Sequence, residues 1–278
     1  MRSRSSIEVR RCRPLLGTFV EILARASTES IAARAIEAAF DAVTLVHRLM
    51  SFHDSESDLS WINRHGFADG VRVHPWTWEV LKAAERYAYE SDGIFDITVA
   101  TEEGTACWHD VILADEFVVR LARPARLDLG GIAKGFAVDC AVEALRRTGV
   151  VSGMVNAGGD LRVFGSPQEV HLRNPICPTQ FSGKLRLRDR ALATSATYFA
   201  PNALINGQSG QVMGHSISVS VAAEDCMTAD ALTKVVFTLK ENSAPLLARF
   251  GADAVFVRSD GTPSWMFESP CLIHGRVR

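Results

Sequence analysis

The sequence predicts an α+β fold, in which helices and strands alternate at first and strands dominate the second half. Apolar residues recur at helical spacing after residue 28, again around residue 84 and again after residue 132. From Val151 onward, short runs of strand character are separated by turn residues. No repeat, low-complexity tract or linker divides the chain, so we expect a single domain over residues 1–278.

The first half of the chain contains one predicted strand and three predicted helices. The strand covers residues 17–24 (GTFVEILA), and the Ser-Thr-Glu sequence at 27–29 is typical of a helix start. The three helices are marked by apolar stripes: Ile36, Phe40, Val43 and Met50; Val80, Leu81, Ala84, Tyr87 and Ala88; and Ile132, Phe136, Cys140 and Ala144. Gly93 and Gly149 end the second and third helices, and a loop, MSFHDSESDLSWIN, follows the first.

The second half reads as a series of short strands with one helix among them. Strand-like runs are GMVNAGG, LRVFG, EVHLRNP, KLRLRD and ALATS. Alternation is clearest over residues 215–223 (HSISVSVAA), and residues 253–258 (DAVFVR) form a late strand. The helix covers residues 228–239 (TADALTKVVFTL).

Composition indicates a globular protein and excludes several classes of partner. The chain is 47% hydrophobic and 22% charged, and its net charge of −2 gives no electrostatic reason to expect nucleic acid. Residues 1–12 are rich in arginine, and we expect them to form a flexible basic N-terminus. No run of about 18 apolar residues predicts a membrane span.

Cysteine usage and the N-terminal sequence favour a cytoplasmic protein. The six cysteines are scattered without a C-x-x-C pair, which argues against a zinc site or a disulfide scaffold. We expect no signal peptide, because the run after Arg13 is interrupted by Pro14, Gly17 and Glu21 and is typical of a strand. We expect no lipoprotein signal, because Cys12 lacks the apolar run that such a signal places before its cysteine.

Residues 127–139, LDLGGIAKGFAVD, place an acid, a glycine pair and a lysine at the start of the third helix. A helix N-terminus carries unpaired N–H groups and partial positive charge, so bare backbone there favours an anion such as phosphate. Neither a Walker A loop nor a G-x-G-x-x-G fingerprint is present. An ordinary strand-to-helix turn that uses glycine for positive φ explains this segment equally well.

Two further segments combine acids with aromatic residues or glycine. GIFDITV (93–99) puts Phe95 and Asp96 just after a helix stop, where they either line a pocket or belong to the core. VNAGGD (155–160) supplies a second glycine pair beside an acid, which suits either close approach of a ligand or a tight turn. The acids of HDSESDL lack the glycine and glutamate that a calcium loop needs.

The segment TADALTK places Asp230, Thr233 and Lys234 on one helix face. Aspartate and threonine oxygens suit Mg²⁺, which commonly bridges substrate phosphates. The alternative is that Asp230 is an acid favoured by the helix dipole at the helix start.

Taken together and in order, the segments LLGTFVEI, MSFHDSESDLSWIN, GIFDITV, LDLGGIAKGFAVD, VNAGGDLRVFG, LATSA and TADALTKVV resemble the ApbE family of FAD:protein FMN transferases. The resemblance runs from about residue 13 to residue 258, and LDLGGIAKG and NAGGD are its most specific parts. It implies a T-fold-like architecture of two intertwined α/β modules with mixed or antiparallel sheets and flanking helices. It also implies FAD between the modules and Mg²⁺ at the FAD pyrophosphate.

The resemblance assigns roles to individual residues. FAD contacts map to Leu16, His53, Ile94, Phe95, Asp96, Asp128, Lys134 and Ile205. The metal would be held by the main chain near Gly131 and by Asp230 and Thr233, and catalysis would involve Asp230, Thr233 and Lys234. In the implied reaction, a threonine or serine hydroxyl of an acceptor flavoprotein attacks the FMN-side phosphorus and AMP leaves.

The chain departs from the family pattern at three places. A His-x-x-Asp-Pro-x-Thr-Gly block is common in the family, but here Ala203 and Asn206 replace its histidine and acid. Lys234 stands where an oxygen ligand is usual, and a protonated lysine cannot bind a cation. His53 stands where tyrosine is frequent and keeps a flat ring. Two hypotheses follow: an active FMN transferase, or an FAD-binding protein whose transfer activity is weakened or lost.

Overall fold

The computed structural model describes residues 6–101, 106–196, 205–212, 217–266 and 273–275. Within these ranges, helices flank antiparallel sheets, and the predicted α+β class is confirmed. The helices are α1 (Glu29–Met50), α2 (Asp58–His65), α3 (Pro75–Glu90), α4 (Ala133–Arg147), α5 (Cys226–Leu239) and α6 (Ala244–Arg249).

The strands form one large sheet and two small ones. They are β1 (Ile7–Leu15), β2 (Thr18–Ala26), β3 (Val71–Arg72), β4 (Val111–Ala114), β5 (Val118–Leu121), β6 (Ser152–Ala157), β7 (Asp160–Phe164), β8 (Gln168–Arg173), β9 (Phe181–Leu187), β10 (Ala191–Ala196), β11 (Ser218–Ala223), β12 (Asp253–Val257), β13 (Pro263–Trp265) and β14 (Ile273–Gly275). The large sheet has the order β1-β2-β6-β7-β10-β11-β12-β13, and the small sheets are β14-β9-β8 and β3-β5-β4.

The large sheet consists of two halves that meet at a short junction. Strands β7 and β10 join the halves through two residue pairs, Arg162 with Ala191 and Leu161 with Leu192. Helix α4 packs on β6 and β7 of the first half, and α5 packs on β10 and β11 of the second. Helices α4 and α5 also pack on each other, so they meet above this junction.

Hydrophobic cores lie on both faces of the large sheet. The larger core lies between the sheet and the helices, where Phe40, Ile36 and Phe237 are almost completely buried. The smaller core joins the opposite face to β8 and β9 through residues such as Val163 and Leu187. Helices and a small sheet therefore cover opposite faces of one central layer.

The expectation of a flexible N-terminus is wrong for residues 7–12. They belong to β1, which pairs with β2 from Ile7 opposite Ala26 to Leu15 opposite Thr18. The basic side chains find acids across the pair: Arg10 lies 3.1 Å from Glu21, and Arg25 lies 2.7 Å from Glu8. Cross-strand ion pairs and the burial of Val9 hold this segment in the sheet. Residues 1–5 lie outside the described residues.

The segment predicted as a loop after the first helix contains α2. Ser57 caps this helix, and its hydroxyl accepts a hydrogen bond from Ser60 N at 3.0 Å. The helix is eight residues long and buries only Leu59 and Ile62, so its apolar pattern is too short for periodicity to reveal it.

The remaining predicted elements are close to the observed ones. The buried face of α4 is centred on Val138, Ala141 and Leu145, so the predicted stripe is displaced toward its edge. In the region predicted as a strand at residues 215–223, the observed strand begins at Ser218, and residues 215 and 216 lie outside the described ranges. None of the helices in the described part of the chain is long and apolar enough to cross a membrane.

Candidate active site

Helices α4 and α5 cross at their N-termini, and Gly135 makes that crossing close. A Cβ atom at Gly135 would lie 2.3 Å from the carbonyl oxygen of Cys226, well inside van der Waals contact. Each helix supplies a carboxylate to the other. Asp230 of α5 accepts from Gly135 N at 3.1 Å, and Asp139 of α4 accepts from Cys226 N and Met227 N at 2.9 and 2.8 Å. Asp230 thus satisfies an N–H group at the start of α4 rather than of its own helix.

Four charged side chains, Lys134, Asp160, Asp230 and Lys234, gather beside this crossing and are called the ion cluster below. The ammonium of Lys134 bonds Asp160 Oδ2 and lies 3.9 Å from Asp230 Oδ2. The ammonium of Lys234 donates to Asp230 Oδ1 and, at 2.9 Å, to the Asp230 carbonyl. Both carboxylates are buried, whereas 36% of the Lys134 side chain is exposed. Two positive and two negative charges therefore balance, and Lys134 is the most accessible member.

Burial and pairing act against each other in the ion cluster. Burial raises the pKa of Asp230, but the ammonium groups of Lys134 and Lys234 outweigh it, and the pKa is lowered from its ordinary value. For Asp160 burial prevails over the Lys134 charge, and the pKa is raised. Burial lowers the pKa of Lys134, yet Asp230 and Asp160 overcome this effect and raise it. Lys134 therefore stays positively charged at neutral pH.

Thr233 lies on the side of α5 that packs against β10. Thr233 Oγ1 donates to the Asp230 carbonyl at 2.7 Å and lies 2.7 Å from Ser195 Oγ. Thr233 is 1% exposed. The Thr233 hydroxyl is thus buried and bonded to Asp230 of its own helix and to Ser195 of the sheet.

Two glycine hairpin tips lie next to the ion cluster. The β1–β2 turn has Leu16 and Gly17 at φ 55° and 70°, and the β6–β7 turn has Gly158 and Gly159 at φ 66° and 108°. A Cβ atom at Gly158 would lie 2.6 Å from Thr18 Oγ1, so the tips touch. The β6–β7 turn leads directly into Asp160, and positive φ explains the glycine pair of this segment. Leu16 is thereby brought to the same end of the sheet as Lys134.

The segment before α4 is held in place from two sides. The amide of Asn63 donates to Leu127 O at 3.0 Å and accepts from Leu127 N at 2.7 Å. Asp128 N donates to Ile97 O, and Asp128 Oδ1 accepts from Gly130 N, both at 2.7 Å. A Cβ atom at Gly131 would lie 3.3 Å from Cε of Lys234 and 3.5 Å from the Phe95 ring. Asp128 therefore shapes a turn whose backbone faces the ion cluster.

The structure also brings the predicted contacts at 94–96 and 205 together. Gly207 N donates to Ile94 O at 3.1 Å, and Ile205 pairs with Val212 in an isolated bridge. Ile94 and Phe95 are 6% and 4% exposed, so their side chains belong to the core, and contacts with a ligand would come from their main chain.

Asp96 lies on the wall of a cleft of about 940 Å³, which residues 207–211 also line. Its carboxylate accepts from Thr98 N at 2.7 Å, Thr98 Oγ1 at 2.8 Å and Trp108 N at 3.0 Å. Burial raises the pKa of Asp96 against these hydrogen bonds. Asp96 therefore both shapes and lines the cleft.

His53 is exposed in the loop before α2. Its ring meets Phe52 edge-on at 5.6 Å, and the guanidinium of Arg126 covers the Phe52 ring at 4.5 Å. Among the described residues, no contact joins His53 to the ion cluster.

Comparison with known proteins assigns the chain to a family. The sequence profile of the ApbE family matches residues 16–108 and 102–256, which is most of the chain. The chain belongs to the ApbE family. It is 24% identical over 281 aligned residues to an FAD:protein FMN transferase of Klebsiella pneumoniae, covering 87% of each chain. It is 26% identical over 244 residues to that of Vibrio cholerae, covering 73% and 72%.

Solved ApbE structures share the fold. The ApbE protein of Thermotoga maritima superposes with a TM-score of 0.81 at 26% identity, covering 94% of this chain and 97% of that one. The flavin transferase ApbE of Vibrio cholerae gives 0.81 at 21% identity, covering 96% and 98%. The ApbE architecture expected from the sequence is thus confirmed.

Four residues that build the site of this ApbE protein have no role predicted from the sequence. Asp160 pairs with Lys134, and Ser195 contacts Thr233. Asp139 accepts from an N–H group at the start of α5, and Asn63 bonds the segment before α4. All four lie inside segments that carry the family resemblance, but their partners are distant in sequence. The acid that follows the glycine pair in NAGGD was the one available signal, because acids beside bare backbone recur at ligand sites.

The residues of this ApbE chain do not fit the Mg²⁺ ion that the family resemblance implies. Lys234 donates to both Asp230 oxygens that face it, and the Thr233 hydroxyl is engaged with the Asp230 carbonyl. In the described part of the chain, no three His, Cys, Asp or Glu side chains are grouped to hold a metal ion. That Gly131, Asp230 and Thr233 bind Mg²⁺ stays a prediction, and this arrangement does not favour it. Ala203, the other departure, lies outside the described residues.

Proposed function

We propose that this protein is an FAD:protein FMN transferase, which moves FMN from FAD to a threonine or serine hydroxyl of an acceptor protein and releases AMP. The ion cluster at the start of α4, beside two glycine tips, carries this proposal. Membership of the ApbE family and curated relatives with this activity in their names support it.

The ion cluster suits the diphosphate of FAD. The Lys134 side chain is 36% exposed, so its ammonium can turn from Asp160 toward a phosphate oxygen, and a charge-assisted hydrogen bond of this kind is strong. The positive end of α4 adds to this attraction. Gly130 and Gly158 are exposed, and no atom lies within 4 Å of the place where a Cβ of Gly159 would be, so both segments have backbone that a phosphate can approach. We therefore place the diphosphate between Lys134 and the two glycine segments.

The flavin and adenosine parts of FAD need more room than the ion cluster offers. The cleft at Asp96 and residues 207–211 has about 940 Å³, which is the size of known small-molecule sites. Of the FAD contacts that the family resemblance implies, Asp96 lines this cleft, and the carbonyl oxygen of Ile94 accepts from Gly207 N, a residue that also lines it. We propose that one end of FAD enters this cleft and that Leu16 and His53 contact other parts.

The proposed reaction is a displacement at phosphorus. A bond forms between the acceptor hydroxyl oxygen and the phosphorus of the FMN half, and the bond from that phosphorus to the bridging oxygen breaks. The bonding electrons leave with AMP, and the hydroxyl proton is released to solvent. Negative charge grows on the bridging oxygen, so the ammonium groups of Lys134 and Lys234 stabilise the transition state more than bound FAD. No step of this scheme uses Mg²⁺.

Product analysis tests the proposal. The purified protein is incubated with FAD, with and without a candidate acceptor protein, and AMP is measured by chromatography. We expect AMP release and a fluorescent flavin on the acceptor that survives denaturing electrophoresis. An acceptor with its threonine changed to alanine should stay unlabelled, and Lys134→Met in the enzyme should reduce labelling by at least about a hundredfold.

The second candidate function is an FAD-binding protein that has weak transfer activity or none. Lys234 at the expected metal position and Asn206 in place of an acid favour it. Tight FAD binding without AMP release, in the presence of several acceptors, would support this candidate over the transferase.

A further inference from the structure

We propose that the ammonium of Lys234 takes the place of a divalent cation in this protein, so that FAD binds without Mg²⁺. The inference rests on the proposed function, because it concerns the same diphosphate site. It explains why the residues around Asp230 do not fit a metal ion.

The Lys234 side chain lies between Asp230 and the backbone of Gly131. Its ammonium donates to Asp230 Oδ1 and, at 2.9 Å, to the Asp230 carbonyl oxygen. Its Cε atom lies 3.3 Å from the place where a Cβ of Gly131 would be. The side chain is only 15% exposed, so it fills the space between Asp230 and the Gly131 backbone. That space is bounded by the groups that the family resemblance assigns to the metal.

The Lys234 ammonium and a metal ion would compete for the same oxygens of Asp230. Mg²⁺ demands about six oxygen ligands in near-octahedral geometry and gives up its waters reluctantly. Here one carboxylate oxygen and one carbonyl already accept from Lys234, and the other carboxylate oxygen accepts from Gly135 N. A metal ion would have to displace the ammonium, and both are positively charged. The ammonium and the ion therefore exclude each other.

Lys234 and Mg²⁺ also differ in charge. A lysine brings one positive charge, and Mg²⁺ brings two. With Lys234, the ion cluster is neutral before FAD arrives, because two ammonium groups balance two carboxylates. Lys234 can still donate to a diphosphate oxygen, but as a monovalent point charge it polarises phosphorus less than Mg²⁺ does. FAD binding should therefore be independent of Mg²⁺, and turnover should be slow.

Binding titrations test the inference directly. FAD affinity is measured by flavin fluorescence in excess EDTA and again in millimolar Mg²⁺. For the natural protein we expect the two dissociation constants to agree within about twofold, and calorimetry with Mg²⁺ alone should show no binding. For Lys234→Thr, which removes the ammonium and adds an oxygen, we expect Mg²⁺ to tighten FAD binding by at least about tenfold. AMP release by this variant should rise with Mg²⁺.

Two further variants serve as controls. Lys184→Thr makes the same exchange at a half-exposed lysine on β9, which pairs with Glu169 at 3.0 Å, and it should behave like the natural protein. Lys234→Met keeps the length of the side chain and removes its charge. It should weaken FAD binding in EDTA by at least about tenfold, which tests the ammonium even if Lys234→Thr does not fold.

The possible outcomes separate this inference from the proposed function. The role of the ammonium would be overturned if the natural protein bound FAD only with Mg²⁺. It would also be overturned if the Lys234 variants had the same FAD affinities as the natural protein in both media. Metal-independent binding without AMP release would support the inference and overturn the transferase function. A protein that binds FAD in neither medium would overturn both.

Discussion

At the scale of single residues, Asp128 has both a structural and a proposed ligand-binding role. Its Oδ1 atom accepts from Gly130 N at 2.7 Å and so shapes the turn next to the proposed diphosphate position. Asp128→Ala should weaken FAD binding by at least about tenfold, while the free energy of unfolding falls by only about 1 kcal/mol, since one hydrogen bond of a half-buried side chain is lost. Fluorescence titration and urea unfolding measure the two effects.

Two variants sharpen the interpretation of Asp128. Asp128→Asn keeps an oxygen for Gly130 N and removes the charge, so it separates the turn from the electrostatic contribution. Asp41→Ala, on an exposed position of α1, should change neither quantity. If Asp128→Ala unfolds the protein, or binds FAD normally, the ligand-binding role of Asp128 is refuted.

At the scale of elements, the crossing of α4 and α5 positions the ion cluster, and Gly135 permits that crossing. In Gly135→Ala the new methyl group would meet the Cys226 carbonyl at 2.3 Å and Met227 Cα at 2.8 Å, which are backbone atoms. The helices must separate, so we expect a loss of about 3 kcal/mol in the free energy of unfolding. Since Lys134 is on α4 and Asp230 on α5, FAD binding should weaken as well.

Gly183→Ala on β9 is the matched control for this helix crossing. Its nearest neighbour would be Leu172 at 3.6 Å, which is ordinary contact, and the position has no positive φ. Urea unfolding of both variants checks the comparison. Equal stability of Gly135→Ala and the natural protein would show that the two helix starts tolerate separation.

At the scale of the whole molecule, the ion cluster links the two halves of the large sheet. Lys134 is on α4 and Asp160 on β7 of the first half, whereas Asp230 is on α5 of the second. A ligand bound there should therefore stabilise the entire fold. At about one hundred times its dissociation constant, FAD should raise the free energy of unfolding by about 2.7 kcal/mol.

Thermal unfolding with FAD and with NADH tests this link. NADH has an adenosine diphosphate part in common with FAD, and the chain lacks the nicotinamide-dinucleotide fingerprint, so NADH should give a much smaller shift. Lys134→Met should lose most of the FAD shift. Equal stabilisation by both dinucleotides would argue that the site recognises only the shared adenosine diphosphate.

The sequence by itself determined the α+β class, the long helices and the family of this protein, although it did not reveal α2 or β1. The helices at 29–50, 133–147 and 226–239 follow from apolar periodicity and caps, which act within a few residues. The positions of Asp128, Lys134 and Asp230 at the candidate site were also available from their segments, because the order of those segments is specific to the ApbE family.

Tertiary structure alone decided which charged groups meet. Lys134 and Asp160 are 26 residues apart, and Gly135 and Asp230 are 95 apart, so their contacts depend on the strand order and on the crossing of α4 and α5. The same holds for β1, whose basic residues become a strand only when β2 supplies a partner. Tertiary structure also decided the direction of the Lys234 side chain. Its helix position was readable from the sequence, but the Gly131 backbone that confines its side chain comes from another part of the chain, and no local pattern encodes such a neighbour.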